Sequence, residues 1–283
     1  MAETKPTATK ATSVQAKHDK NMISWLAPVV CIIAGYAIWR FMMGSADGFN
    51  EPDLNGGFWP SHKGPKDAFH RIYEGGIIVP LLLGMFLMVV VFSIERYLTI
   101  RRALGNGSVA DFIRKIQFQL ANKNVDAALA ECDKQSGSVS NVMKAGLRRY
   151  KEMINEGGLS TEQKVAVIQK EVEEATALEL PMLQKNLVFL STITSVGTLI
   201  ALLGTVMGMI RSFAALGEEG GGGAAADLAV GISEALYNTA LGIGTSAIAL
   251  IMYNAFTTKI DSITHGIDES GFTLTQSFAS QYK

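Results

Sequence analysis

The segment LAVGISEALYNTALGIGTSAIALIMYNAFTT, Leu228 to Thr258, holds 31 residues and a single charge, Glu234. About 20 apolar residues suffice to carry a helix through a bilayer, so this segment is long enough to span. An acidic side chain at the centre of such a helix costs about +2.5 to +3.5 kcal/mol on insertion scales. A carboxylate kept there faces protein or a water-filled path and marks a functional site by default.

Three more runs have the same character: Asn21 to Trp39, Gly75 to Ile94 and Asn186 to Ile210, with 19, 20 and 25 residues and no charge. The chain of 283 residues is 48% hydrophobic and only 18% charged, against about 25% charged in soluble domains. These figures point to an all-α integral membrane protein with four transmembrane helices and one modest soluble portion. Period-2 alternation of the kind a barrel strand needs is absent, and no strand signal stands out elsewhere. A net charge of −1 gives no reason to expect nucleic acid as a partner. Cys31 and Cys132 suggest neither a disulfide framework nor a metal cluster. His18, His62, His70 and His265 are scattered through polar segments and are expected to be solvated.

Lys and Arg placement sets the orientation. With both termini cytoplasmic, 20 basic residues lie inside and 5 outside, the outer set being Arg40, Lys63, Lys66, Arg71 and Arg211. The expected order is a cytoplasmic tail (1–20), an N-terminal span (21–43), a periplasmic loop (44–74), a second span (75–94) and a helical cytoplasmic domain (95–185). A third span (186–213), a short Gly-rich loop (214–227), the fourth span (228–258) and a cytoplasmic tail (259–283) follow. Gly44-Ser45-Ala46 offers small residues at cleavage positions, but the first span is too long for a signal peptide and is expected to remain as an anchor. Ser108 and Asn124 suit N-caps, and Ser160-Thr161-Glu162-Gln163 fits a capping box. From there one long helix is expected to run into the third span, kinked at Pro181. Spans three and four then form an antiparallel hairpin.

Span three carries hydroxyls seven apart at Ser191, Thr198, Thr205 and Ser212, close to one helical face. Gly197, Ala201, Gly204 and Gly208 form a small-residue stripe suited to close helix packing. The hydroxyls fit either packing, through bonds to i−4 carbonyls, or a hydrated path. Counted from the span ends, Glu234 and Thr205 fall at similar depth, with Thr239 one and a half turns deeper and about 140° around the helix from Glu234. No lysine or arginine is expected at that depth, which leaves Glu234 protonated, hydrogen-bonded to hydroxyls, or solvated in a pore. Gly220 to Gly223 have acidic neighbours and no following Lys-Ser/Thr, which excludes a phosphate cradle. No nucleophile–base pair or metal spacing suggests an enzyme.

Leu202-Leu203-Gly204-Thr205-Val206-Met207-Gly208-Met209 resembles the LLGTVxG segment of the ExbB/TolQ/MotA proton-channel family. Gly231-Ile232-Ser233-Glu234-Ala235-Leu236-Tyr237-Asn238-Thr239-Ala240-Leu241-Gly242 resembles that family's GIxEALxxTAxGL segment, and Ile94-Glu95-Arg96 is similar to the exit of its first span. The likeness covers residues 75–260 and is nearest to the ExbB branch. It implies a homo-oligomeric ring, a pentamer, around a central pore in the inner membrane, with the helices of the last hairpin extending into the cytoplasmic domain. The implied partners are membrane lipid, an ExbD-like single-span protein with a membrane-embedded Asp, and a TonB-like protein. The coupling ion is the proton, with no other cofactor. By motif position Thr205, Glu234 and Thr239 line the pore, with Ser191 and Thr198 as further members and Gly204 and Gly208 as packing positions. Thr198 stands where the family often has proline, and Ala201 where it has glycine. Span 21–39 is extra to the usual three-span plan and is expected to pack on the outside of the bundle. A TolQ-like or MotA-like role, or a non-conducting scaffold, would fit the same plan.

Overall fold

The computed structural model describes residues 22–53, 57–60, 62–218 and 224–282; the expected 1–20 tail and Gly220 to Gly223 lie outside these. Helix α1 (Met22–Ala37) continues through a wider turn to Met43. An external segment holds β1 (Phe49–Glu51), β2 (Lys63–Pro65) and α2 (Ala68–Tyr73). Seven helices follow: α3 (Ile78–Leu104), α4 (Val109–Ala121), α5 (Val125–Gln135), α6 (Ser138–Asn155), α7 (Thr161–Gln184), α8 (Leu187–Glu218) and α9 (Ala224–Gln281). Four of the described helices are long and apolar enough to cross a membrane.

The 58 residues of α9 form one unbroken helix, about 87 Å long at 1.5 Å per residue. Its first half packs along α8, and its second half packs against α4, α6 and α7. There Ile260, Ile263, Ile267, Leu274 and Phe278 recur at helical spacing and are buried. They join Phe112, Ile116, Leu120, Met143, Leu147 and Ile168 in one apolar core. The long helix thus makes the membrane hairpin and the soluble domain a single packed body.

The helix expected to run unbroken from Ser160 into span three is in fact two helices. The capping box forms, with Gln163 N–H donating to Ser160 Oγ and Ser160 N–H to Gln163 Oε1. Pro181 lies inside α7 without ending it. The break falls at Lys185-Asn186, where Asn186 takes φ +65°, a left-handed conformation that Asn tolerates better than most residues. Arg96 from α3 explains why the chain stops there. Its side chain is 2% exposed, and Nη1 donates to the carbonyls of Met182 and Leu183, both at 3.2 Å. These carbonyls belong to the last turn of α7, which leaves them without helical partners. Arg96 also pairs with Glu95, which accepts from Asn186 Nδ2 at 3.3 Å. The clasp ties α3 to the α7–α8 junction.

The external segment is more ordered than its sequence suggests. Phe49 pairs with Pro65 and Glu51 with Lys63 in a short antiparallel ladder; three-residue strands are too short to show alternation. His62 is not solvated: it is 8% exposed, stacked 4.7 Å from Phe49, and its Nδ1 accepts from Asp53 N–H at 3.0 Å. Burial holds its imidazole below the usual range. Trp39 stacks on Tyr73 at 4.4 Å, and Tyr73 Oη donates to the Pro60 carbonyl at 2.7 Å. Helix α1 packs on α3 through two glycines. A Cβ on Gly35 would lie 2.5 Å from Gly84 N, so only glycine allows that crossing. Trp25, Leu26, Val29 and Ile33 on the other side of α1 are exposed. Cys31 and Cys132 are buried, unpaired thiols.

Replacing Arg96 by leucine takes the side-chain donor from the α7 carbonyls and the cation from Glu95. The expected loss is about 2 kcal/mol, below the 3–5 of a fully buried pair because Glu95 is 40% exposed. Thermal unfolding followed by circular dichroism in detergent measures it. Arg96→Lys should recover only part, since lysine keeps the charge but not the fork.

Candidate functional site

The site lies between α8 and α9, and small residues set its geometry. A Cβ on Gly208 would sit 2.8 Å from the Gly231 carbonyl and 3.0 Å from Ala235 Cβ. A Cβ on Gly204 would meet Asn238 Cβ at 2.8 Å, one on Gly242 would meet Ala201 Cβ at 2.2 Å, and one on Gly197 would meet Ser246 Oγ at 2.6 Å. Each step along one helix is matched by a step back along the other, and every contact is backbone-close. That fixes which polar residues face one another.

The register differs from the one counted from the span ends. Thr205 lies level with Thr239, not Glu234, and their hydroxyls are hydrogen-bonded across the hairpin. Thr205 Oγ1 also lies 3.2 Å from the Ala201 carbonyl, and Thr239 Oγ1 3.0 Å from that of Ala235. Each hydroxyl has one hydrogen. One therefore donates to its own carbonyl while the other donates across, and the two roles can exchange. The pair can pass a hydrogen bond in either direction along the helices without moving a heavy atom.

Glu234 has the cationic partner that the sequence reading denied it. Arg211 Nη1 donates to Glu234 Oε1 at 2.7 Å. The register places Arg211, which follows span three's apolar run, opposite the carboxylate, and its long side chain covers the remaining distance. Glu234 is 8% exposed, while the Arg211 side chain is 52% exposed. The pair thus has one end buried and the other open. Among the described residues, no hydroxyl is hydrogen-bonded to Glu234.

Two more groups escaped the sequence reading. Asn238 is 1% exposed, and its Nδ2 donates to the Gly75 carbonyl at 3.0 Å, tying α9 to the turn before α3. Its position four residues after Glu234, on the same helical face, was the available signal. Gly76 has φ +70°, and a Cβ there would lie 2.6 Å from Glu234 Oε1 and 3.1 Å from Arg211 Nη1. The turn comes this close to the ion pair only because residue 76 lacks a side chain.

The other sequence candidates sit along the same helices. Thr198 Oγ1 donates to the Thr194 carbonyl at 3.4 Å within a continuous helix, and Ala201 is fully buried against Gly242. Ser212 donates to Gly208 O at 3.0 Å. Ser191 lies apart from the Thr205–Thr239 layer, beside a cavity of about 360 Å³ near Tyr253, Thr257 and Asp261. Among the described residues no His, Cys, Asp or Glu cluster could hold a metal ion.

The model of the MotA/TolQ/ExbB proton channel family matches residues 134–269. A biopolymer transport protein, ExbB-like 3, of Synechocystis sp. is 32% identical over 185 residues, 64% of this chain and 81% of that protein. The Tol-Pal system protein TolQ of Pseudomonas aeruginosa is 29% identical over 131 residues, 46% of this chain and 56% of that protein. The biopolymer transport protein ExbB of Helicobacter pylori is 40% identical over 92 residues, 32% of this chain and 62% of that protein.

Gly76→Ala tests the close turn. A non-glycine residue held left-handed costs about 1–2 kcal/mol, and the added methyl must displace the Glu234–Arg211 pair. A drop of several degrees in thermal midpoint is expected. An unchanged midpoint would show that the turn relaxes freely.

Proposed function

The chain belongs to the MotA/TolQ/ExbB proton channel family, and from that premise we propose that it is the multi-span subunit of a proton-driven stator of the ExbB type. The observation that carries the reading is the Thr205–Thr239 hydrogen bond. It joins the two motif segments at one level, inside spans whose other side chains are mainly apolar. In the reading, copies of this chain form a ring, a pentamer, in the inner membrane with both termini cytoplasmic. The hydroxyl layer and the Glu234–Arg211 layer above it face a central pore. A single-span, ExbD-like partner brings a membrane-embedded aspartate into that pore, and a TonB-like protein carries the work toward outer-membrane transport.

Each part has a physical task. The aspartate carries the proton, and the hydroxyl pair offers it a hydrogen-bond partner of either polarity within the apolar span. Glu234 stands nearer the outer side, held by Arg211, so this layer is electrically balanced until a proton or another charge arrives. A membrane potential supplies about 2.3 kcal/mol per charge per 100 mV. One proton thus biases a conformational step by a few kcal/mol, which suits a ring that turns against its partner in small steps. The long α9 connects those steps to the cytoplasmic helices. Relatives named both for biopolymer transport and for the Tol-Pal system keep a TolQ-type role as the second reading.

Glu234→Gln removes the charge and Thr205→Val the hydroxyl at nearly constant volume. In cells lacking the native copy, each variant at normal expression should lower protonophore-sensitive outer-membrane uptake at least tenfold. Normal uptake by both, with an intact envelope and unchanged motility, would falsify the proton-path reading and favour a non-conducting scaffold. Normal uptake with a leaky envelope would favour the TolQ-type role, and lost motility alone a MotA-type one.

A further inference from the structure

The first helix and the external segment build something that the family-matched stretch lacks. A cavity of about 670 Å³ opens on the outer side of the bundle, ample for a cluster of waters at about 30 Å³ each. Trp39, Trp59, His62, Tyr73 and Glu74 form its wall, and Arg211 from α8 reaches it from below. All five wall residues precede the family match at residues 134–269.

The wall is braced rather than loose. Tyr73 is 4% exposed, stacked on Trp39 and bonded to the Pro60 carbonyl, and Trp39 Nε1 donates to the Tyr73 carbonyl at 3.3 Å. Trp59 meets Trp39 at 4.6 Å in an edge contact. These rings hold the cavity open above the floor. The floor is the turn at Gly76, where the missing side chain leaves Glu234 and Arg211 in reach. The cavity touches the guanidinium that binds Glu234, so water in it is one residue away from the buried carboxylate.

Glu74 lines the cavity two residues before Gly76 and is half-buried. We propose that this cavity is an outer vestibule feeding protons to the Glu234 layer, and that Glu74 is the carboxylate that receives each proton first. The inference rests on the proton-path reading above. In the transfer, a hydronium in the vestibule protonates the Glu74 carboxylate. That proton then passes through water to Glu234, leaving Glu74 ionised for the next and Arg211 without its counter-ion until Glu234 releases the proton inward. Among the described residues, the charged and titratable groups around Glu74 are Arg71 on α2, Glu234 on α9, and the Arg211, His62 and Tyr73 that share the vestibule. Burial pushes the Glu74 carboxyl above the usual carboxylate range, with Arg71 opposing and Glu234 adding to the rise. The same geometry gives the extra first helix a task beyond packing on α3: it supplies Trp39 and anchors the wall.

Proton uptake into proteoliposomes tests this, using the native complex purified through a tag on this chain and a potassium diffusion potential as the driving force. Glu74→Gln should slow uptake at least fivefold and change its dependence on external pH, and Glu74→Asp should restore most of the rate. In intact spheroplasts Glu74→Cys should react with a membrane-impermeant sulfonated thiol reagent, the native thiols Cys31 and Cys132 being buried. Glu234→Gln runs beside them. If it blocks uptake while Glu74→Gln conducts like the parent at every pH, the vestibule proposal is wrong and the proton path stands. Parental uptake by Glu234→Gln would sink the proton path itself. Failure of Glu74→Asp to restore the rate, or no labelling of Glu74→Cys from outside, would reassign Glu74 to bracing the turn.

Discussion

The close approach of α8 and α9 is the constraint from which the site follows. Helices in lipid gain little from hiding apolar surface, so they hold together by dispersion contacts and hydrogen bonds that small residues bring into range. Gly197 and Gly204 meet the side chains of Ser246 and Asn238, and Gly208 the backbone of Gly231, each too closely for a side chain in the glycine's place. A slide along the helix axis would drive a side chain into a backbone at several of these places at once. The register is therefore narrowly set, and it decides that Thr205 meets Thr239 and Arg211 meets Glu234.

That register also explains how polar groups survive inside the span. Ser212 and the threonines bond to carbonyls one turn back, Asn238 reaches the turn before α3, and the carboxylate has a guanidinium. The bond from Asn238 makes α3 a third member of the arrangement. At the other end of α3, Arg96 performs a comparable service for the last turn of α7. The helix is thus pinned on either side of its apolar run by polar contacts while its middle packs through apolar side chains.

The architecture joins the α8–α9 hairpin to an added N-terminal portion. The hairpin carries the motif residues. Ahead of it, α1 crosses α3 at paired glycines and delivers an aromatic cap over the outer end of the bundle. The cap walls a cavity that Arg211 lines, so the exposed end of the Glu234–Arg211 pair opens into a defined space.

The sequence by itself determined the class and the plan. Hydropathy along the chain specifies four spanning helices because a bilayer tests each segment by its own transfer cost. The capping box at Ser160 was legible because it depends on residues three apart. Thr205, Glu234 and Thr239 stood out as polar groups in apolar runs. Tertiary structure alone decided how they pair. Depth counted from span ends misaligned Glu234 with Thr205, because register depends on the interlocking of two helix surfaces, which no single segment encodes. Arg211 lay in a charged flank until that register brought it opposite Glu234. The strands at Phe49 and Lys63 were invisible because three residues are too few to show alternation, and the burial of His62 because it depends on how its ring packs against Phe49 and Tyr73.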